Sequence, residues 1–256
     1  MNSPTIHGSR PNRLKRAVAK VLHEPAYILH SQPYRDTSLL LDVFTRHYGR
    51  VSVLAKGAKR PYTQWRASSF QTFQTLSMSF THKTEVKTLL DAEWVGGIPM
   101  LQGAALISGY YMNEWLRRGL ARDDVHEGLF DAYQHSLADL SLSPVAEHAA
   151  VLRGFEFNLL GELGFGLPLH TKGEVEPSAR YVLKQDVWVT PSIAHTDQVN
   201  VISVHGQTLL DLQQLNFSAP QTAQETKVLL RHFLQQYIAD KPLQTRNLLI
   251  DLQGLA

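Results

Sequence analysis

The sequence predicts an α+β protein, a small five-stranded barrel followed by a helical region, and three observations lead there. Apolar residues recur with a period of about two up to Val95 and of about 3.6 beyond it. The turn residues Gly96, Gly97 and Pro99 mark the change. Charge divides at nearly the same place: residues 1–90 hold 14 Lys and Arg against four acids, net +10, whereas residues 91–256 hold 11 against 19, net −8.

Taken in order, Arg16 to His30 is rich in Val, Ala, Tyr and Ile and reads as the first strand. Ser38 to Thr45 places Leu39, Leu41 and Val43 on one face, and Arg50 to Ala55 follows the Tyr48-Gly49 turn. Phe70 to Phe80 and Val86 to Val95 complete the set. Such short strands favour a closed or partly closed barrel, because closure removes exposed edges. Lys56 to Ser69 is then a long basic loop between the third and fourth strands.

Beyond the glycines, Leu101, Ala105, Ile107, Tyr111, Trp115 and Leu116 recur at helical spacing, as do Val125, Leu129, Phe130, Tyr133 and Leu137. Ser143-Pro144 reads as the N-cap and first position of a third helix, Val145 to Leu163, stopped by Gly164, Gly166 and Pro168. Residues 170–200 are polar, with a β-like stretch from Tyr181 to Val189, and read as a small β-rich insertion. Two more helices are expected, Gly206 to Leu215 and Pro220 to Ile238. The expected domains are 1–95 and 96–256.

The chain has 256 residues, 43% of them hydrophobic and 19% charged, ordinary proportions for a globular protein with a buried core. With no cysteine, disulfides, thiolate zinc sites and cysteine nucleophiles are excluded. No secretory signal and no apolar run of membrane-spanning length is present, so a cytoplasmic protein is expected. The Asn216-Phe217-Ser218 sequon then has no glycosylation meaning. No Walker A, GxGxxG after a strand, HExxH or GxSxG motif occurs. Gly161, Gly164 and Gly166 follow a helix and read as its C-terminal stop. None of the 12 histidines sits in an i,i+4 pair with acidic support, so no metal site and no cofactor is expected. Lys56 lacks the nearby acid of a nucleotidyl-transferase lysine, since Ala58 stands two residues on. No small-molecule substrate and no catalytic residue is indicated.

The chemistry that is present is electrostatic. Arg46, Arg50, Lys56, Lys59, Arg60 and Arg66 lie close together in the chain, with Tyr62 and Trp65 among them. Cations track phosphates, and aromatic faces stack on unpaired bases, so this mixture suits single-stranded nucleic acid. Trp65 fits a core plug as well as a stacking platform. Neutralising about six phosphates gives a log K against log[salt] slope near −4 for a single strand.

These residues also carry a resemblance. Tyr34-Arg35-Asp36-Thr37-Ser38-Leu39-Leu40-Leu41-Asp42-Val43-Phe44-Thr45-Arg46, Gly49-Arg50-Val51 and Ala55-Lys56-Gly57-Ala58-Lys59-Arg60 resemble the start of the bacterial RecO family of DNA repair proteins. Glu85-Val86-Lys87-Thr88-Leu89, Tyr111-Met112-Asn113-Glu114, Leu152-Arg153-Gly154-Phe155-Glu156, Leu163-Gly164-Phe165-Gly166 and Lys241-Pro242-Leu243-Gln244-Thr245-Arg246 continue the match in order. The resemblance implies an N-terminal OB-fold, a helical domain and a non-enzymatic recombination mediator. Such a mediator binds single- and double-stranded DNA, anneals complementary strands and, with RecR, helps load RecA on strands coated by single-stranded DNA-binding protein (SSB). It implies association with the nucleoid during repair. Many members carry a four-cysteine zinc element where this chain has Leu169-His170-Thr171-Lys172-Gly173 onward, so packing or hydrogen bonds are expected to hold residues 170–200.

Members also engage the acidic, apolar C-terminal tail of SSB through the helical domain. Such a tail needs an apolar groove and a cation for its carboxylate. Arg153, with Phe155 and Leu159 nearby, is the candidate; an internal pair with Glu156 is the alternative. Lys241 and Arg246 suit either the tail or DNA. Two other functions compete: a scaffold whose basic face meets an acidic partner, and a metal-dependent enzyme using Asp123, Asp124 and Glu127. Those acids equally suit a helix N-terminus, where they stabilise the dipole without metal.

Overall fold

The computed structural model of the chain describes residues 19–60, 70–169, 171, 173–184, 187–190, 202–238 and 243–245. Five strands, β1 (Lys20–Tyr34), β2 (Ser38–Thr45), β3 (Gly49–Ala55), β4 (Leu76–Thr81) and β5 (Val86–Trp94), close into a barrel in the order β1-β2-β3-β5-β4. Only β3 and β5 pair in parallel. This Greek-key order is that of an OB-fold. Closure depends on β1, which pairs with β4 through Lys20 to Ala26 and with β2 through Ala26 to Tyr34. Register irregularities between Val21 and Glu24, and between Ile28 and His30, bend it between its two neighbours.

Two boundaries differ from expectation. β1 runs on to Tyr34, where the sequence pattern ends at His30, because hairpin pairing with β2 continues to Tyr34 opposite Ser38. β4 starts at Leu76, not Phe70, because Phe70 and Phe73 leave the strand and pack in different cores.

Alternation along the strands builds both cores. Leu41, Val43, Val51 and Val53 point into the barrel and are buried there. Tyr27, Leu29 and Phe44 point outward, into a larger cluster shared with the helices. Tyr27 and Phe44 meet Phe130 and Tyr133 with ring centroids 5.2–6.3 Å apart, so aromatic packing joins barrel to helices.

The helices are α1 (Gly103–Gly119), α2 (Glu127–Leu142), α3 (His148–Glu162), α4 (Gly206–Gln213) and α5 (Pro220–Tyr237). Ser143 closes α2 instead of capping the next helix, and a short 3-10 turn, Val145–Glu147, leads into α3. At the far end of α3, Gly164 adopts φ +80°, and Phe165 N donates to Leu160 O at 2.8 Å while Gly164 N donates to Gly161 O at 3.0 Å. This is a Schellman stop, the structural role that the glycine cluster suggested. Beyond it, β6 (Arg180–Lys184), β7 (Val187–Val189) and β8 (Ser203–His205) form a sheet in the order β7-β6-β8. Buried Trp188 anchors this sheet, its indole N–H donating to Pro168 O at 2.6 Å.

Candidate nucleic-acid interface

Because Leu39 pairs with Ala55, the β1–β2 turn and the turn after β3 emerge at the same end of the barrel. They are tied together: Lys59 N donates to Thr37 O at 2.9 Å, and Gly57 N to Ser38 Oγ at 3.4 Å. Lys56, Lys59 and Arg60 are exposed there. So is Arg35, whose guanidinium lies 5.3 Å from the centre of the Tyr34 ring. Tyr34 and Arg35 fall outside the set expected from the basic loop because they precede it in sequence. Their place at the hairpin tip, beside Asp36-Thr37, was the signal available. Of the other expected DNA-binding residues, Tyr62, Trp65 and Arg66 lie outside the described residues, as do Lys241 and Arg246.

Arg46 and Arg50, both expected to bind DNA, face the helices and meet acids. Arg46 pairs with Asp131 at 2.8 Å and lies 3.7 Å from Glu127. Arg50 grips both oxygens of Asp42, Nε to Oδ1 at 2.9 Å and Nη2 to Oδ2 at 2.8 Å. Its Nη1 donates to the carbonyls of Arg117 and Leu120, the latter at 3.0 Å, closing the C-terminus of α1. Four of its five N–H donors are thus engaged, and the side chain is only 13% exposed.

Two further arginines converge on the same carboxylate, Arg117 at 3.3 Å and Arg122 at 3.7 Å. Burial pushes the Asp42 carboxyl up; the hydrogen bonds and charge of Arg50, then the charges of Arg122 and Arg117, outweigh this and hold it below the usual range. Nearby His30 has its proton affinity lowered by burial and by Arg117. Asn113 adds a bond across the seam, donating to Leu29 O at 3.0 Å. An open cleft of about 730 Å³ runs beside it, between Leu29, Phe73 and Gln74 on the barrel side and Leu106, Tyr110 and Arg117 of α1.

In the helical half, Phe155 and Leu159 are buried in the shared core, 1% and 0% exposed. Arg153 is buried too and pairs with Glu156, the alternative that the i,i+3 spacing offered. Tyr111 donates to the same carboxylate. Burial raises the Glu156 carboxyl, against the lowering pull of Arg153. The expected tail-binding trio is therefore closed to a peptide, because helix packing turns that face inward. On α5, by contrast, Val228 and Arg231 lie one turn apart and are both exposed.

Asp123 pairs with Lys87 at 2.7 Å, Asp124 lies 3.3 Å from His126, and Glu127 faces Arg46. Asp123 and Glu127 thus join helices to barrel, and among the described residues no group of three His, Asp or Glu could hold a metal. Among the same residues, no helix is long and apolar enough to cross a membrane.

Comparison with known proteins agrees with this architecture. Residues 20–98 match the family described as Recombination protein O N terminal, and residues 100–247 match Recombination protein O C terminal. The chain is 45% identical to the DNA repair protein RecO of Ralstonia nicotianae, over 98% of this chain and 93% of the relative. It is 43% identical to the RecO proteins of Nitrosospira multiformis, over 91% and 96% of the two chains, and of Dechloromonas aromatica, over 93% and 98%.

Proposed function

Since the chain belongs to the RecO family of DNA repair proteins, we propose that it is a non-catalytic recombination mediator, binding single- and double-stranded DNA and annealing complementary strands. The observation that carries this reading is the exposed cluster of Arg35, Lys56, Lys59 and Arg60 beside Tyr34 at one end of the barrel. Concentrated positive charge lowers the repulsion between two phosphate backbones, which is the physical requirement for annealing. Tyr62, Trp65 and Arg66 belong to the same proposed surface by their place in the loop.

The working division of labour is DNA chiefly on residues 1–95 and protein partners on residues 96–256. The proposed partners are the SSB tail and RecR, and the outcome is RecA loading on SSB-coated DNA. Val228 and Arg231, exposed one turn apart on α5, supply the kind of chemistry that an acidic, apolar tail needs. Annealing of complementary oligonucleotides, without nucleotide and with EDTA, tests the central reading. Acceleration is expected, and its absence would refute the mediator. A tail peptide that binds Val228→Asp as tightly as the parent would remove that surface from the proposal.

A further inference from the structure

Resting on the DNA-binding reading, we infer that Arg117 and Arg122 form a second phosphate site, so that one single strand runs along the outer face of β1–β2–β3 from the hairpin tip to the seam. Strand alternation defines that face. His30, Gln32 and Tyr34 on β1 stand opposite Asp42, Leu40 and Ser38 on β2, and Ser52 and Leu54 of β3 lie beside Asp42 and Leu40. Toward the seam, the outward side chains Tyr27, Leu29 and Phe44 are buried under helices. Toward the tip the face is open, with Gln32 and Tyr34 exposed and Leu40 and Leu54 half-buried.

Both ends of this open face are cationic. The tip carries Arg35, Lys56, Lys59 and Arg60. At the other end three guanidinium groups surround one carboxylate, Asp42, which leaves a local excess of positive charge. Arg50 spends itself on Asp42 and the α1 carbonyls, whereas the side chains of Arg117 and Arg122 remain 38% and 39% exposed. Of the other charged groups near this end, Lys87 pairs with Asp123, Arg118 with Glu114, and Arg46 with both Asp131 and Glu127, while Asp124 lies beside His126.

From Asp42 to Ser38 is about 13 Å at roughly 3.3 Å per strand residue, a span that a few nucleotides of a single strand bridge. Between the two cationic ends lie Leu40 and Leu54, with the Tyr34 ring at the tip, and unpaired bases pack against such groups whereas the phosphate exterior of a duplex does not. The occupant is therefore single-stranded DNA. The net-acidic helical half concealed this site, since both arginines come from it.

The test is fluorescence anisotropy of the full chain with a labelled single-stranded oligonucleotide across a salt series. Each lost phosphate contact should reduce the slope of log K against log[salt] by about 0.7, so Arg117→Gln with Arg122→Gln should reduce it by about 1.4. Thermal unfolding identifies any loss of fold. Arg122→Gln alone, at the longest of the three contacts to Asp42, then provides the decisive variant with a loss near 0.7. An unchanged slope in Arg122→Gln, with Lys56→Ala, Lys59→Ala and Arg60→Ala together lowering it, would overturn this inference alone. No change in either set would overturn the DNA surface itself. Equal losses with a duplex would overturn the single-strand assignment.

Discussion

The α-carbon of Gly49 approaches the backbone of Asp124 so closely that a β-carbon on it would lie 1.8 Å from the Asp124 carbonyl oxygen. Gly49 also turns the β2–β3 corner at φ +64°. One residue thus serves both the hairpin and the seam between barrel and helices. Gly49→Ala is expected to cost about 3 kcal/mol or more, combining left-handed strain with the clash. Thermal unfolding should show a Tm lower by roughly 6–12 °C for a chain of this size. A shift within experimental error would mean that the two backbones can separate freely.

Asp42 predicts a pH dependence. Its folded carboxyl titrates below the unfolded value of about 3.9, so its contribution is complete well above that pH and disappears as pH falls through the lowered folded value. Asp42→Asn should therefore be less stable than the parent at pH 7, by about 3 kcal/mol for a broken buried pair, with the gap closing toward pH 3. Urea unfolding at the two pH values measures it. Glu114 and Glu225 are also lowered, so the parent's own acid loss is shared, and only the difference between proteins isolates Asp42.

The exposed turn should separate binding from stability. Changing Lys56, Lys59 and Arg60 to Ala is expected to reduce the salt slope for a single strand by about 2. Exposed positions of this kind alter stability by only about 0.5 kcal/mol each. A stable triple variant with an undiminished slope would exclude the turn from the interface.

Arg153 should behave as a structural residue. Arg153→Ala leaves Glu156 buried beside Tyr111 and is expected to cost roughly 2–4 kcal/mol at pH 8. A carboxyl raised by burial is most favourable when protonated, so the deficit should shrink as pH is lowered toward about 4.5. Denaturant unfolding at both pH values, with Arg153→Met and Glu156→Gln together as the compensated variant, checks this. A pH-independent deficit would mean that Glu156 does not carry the cost.

The barrel was legible because alternation along Ser38–Thr45 and Arg50–Ala55 is a local property, and α5 because Pro220 opens a long helical pattern. The limits of β1 and β4 were not, since Tyr34 is held by a partner strand and Phe73 by a distant core. The Lys56, Lys59 and Arg60 part of the candidate interface was legible as exposed charge in a loop. Arg50 read as a free cation, and Arg153 as either a free cation or the partner of Glu156; the acids that each meets in three dimensions decide.

The sequence by itself determined the two-part architecture, the family and the excess of positive charge in the first third, because periodicity, motif order and charge are all written along the chain. Tertiary structure alone decided which charges remain available. Folding brings Asp42 under Arg50, Arg117 and Arg122, turns Arg46 toward Asp131, and sets Arg35 beside the Lys56–Arg60 turn. A charge acts on a ligand according to its exposure and its partner, and both are set by contacts between residues far apart in sequence.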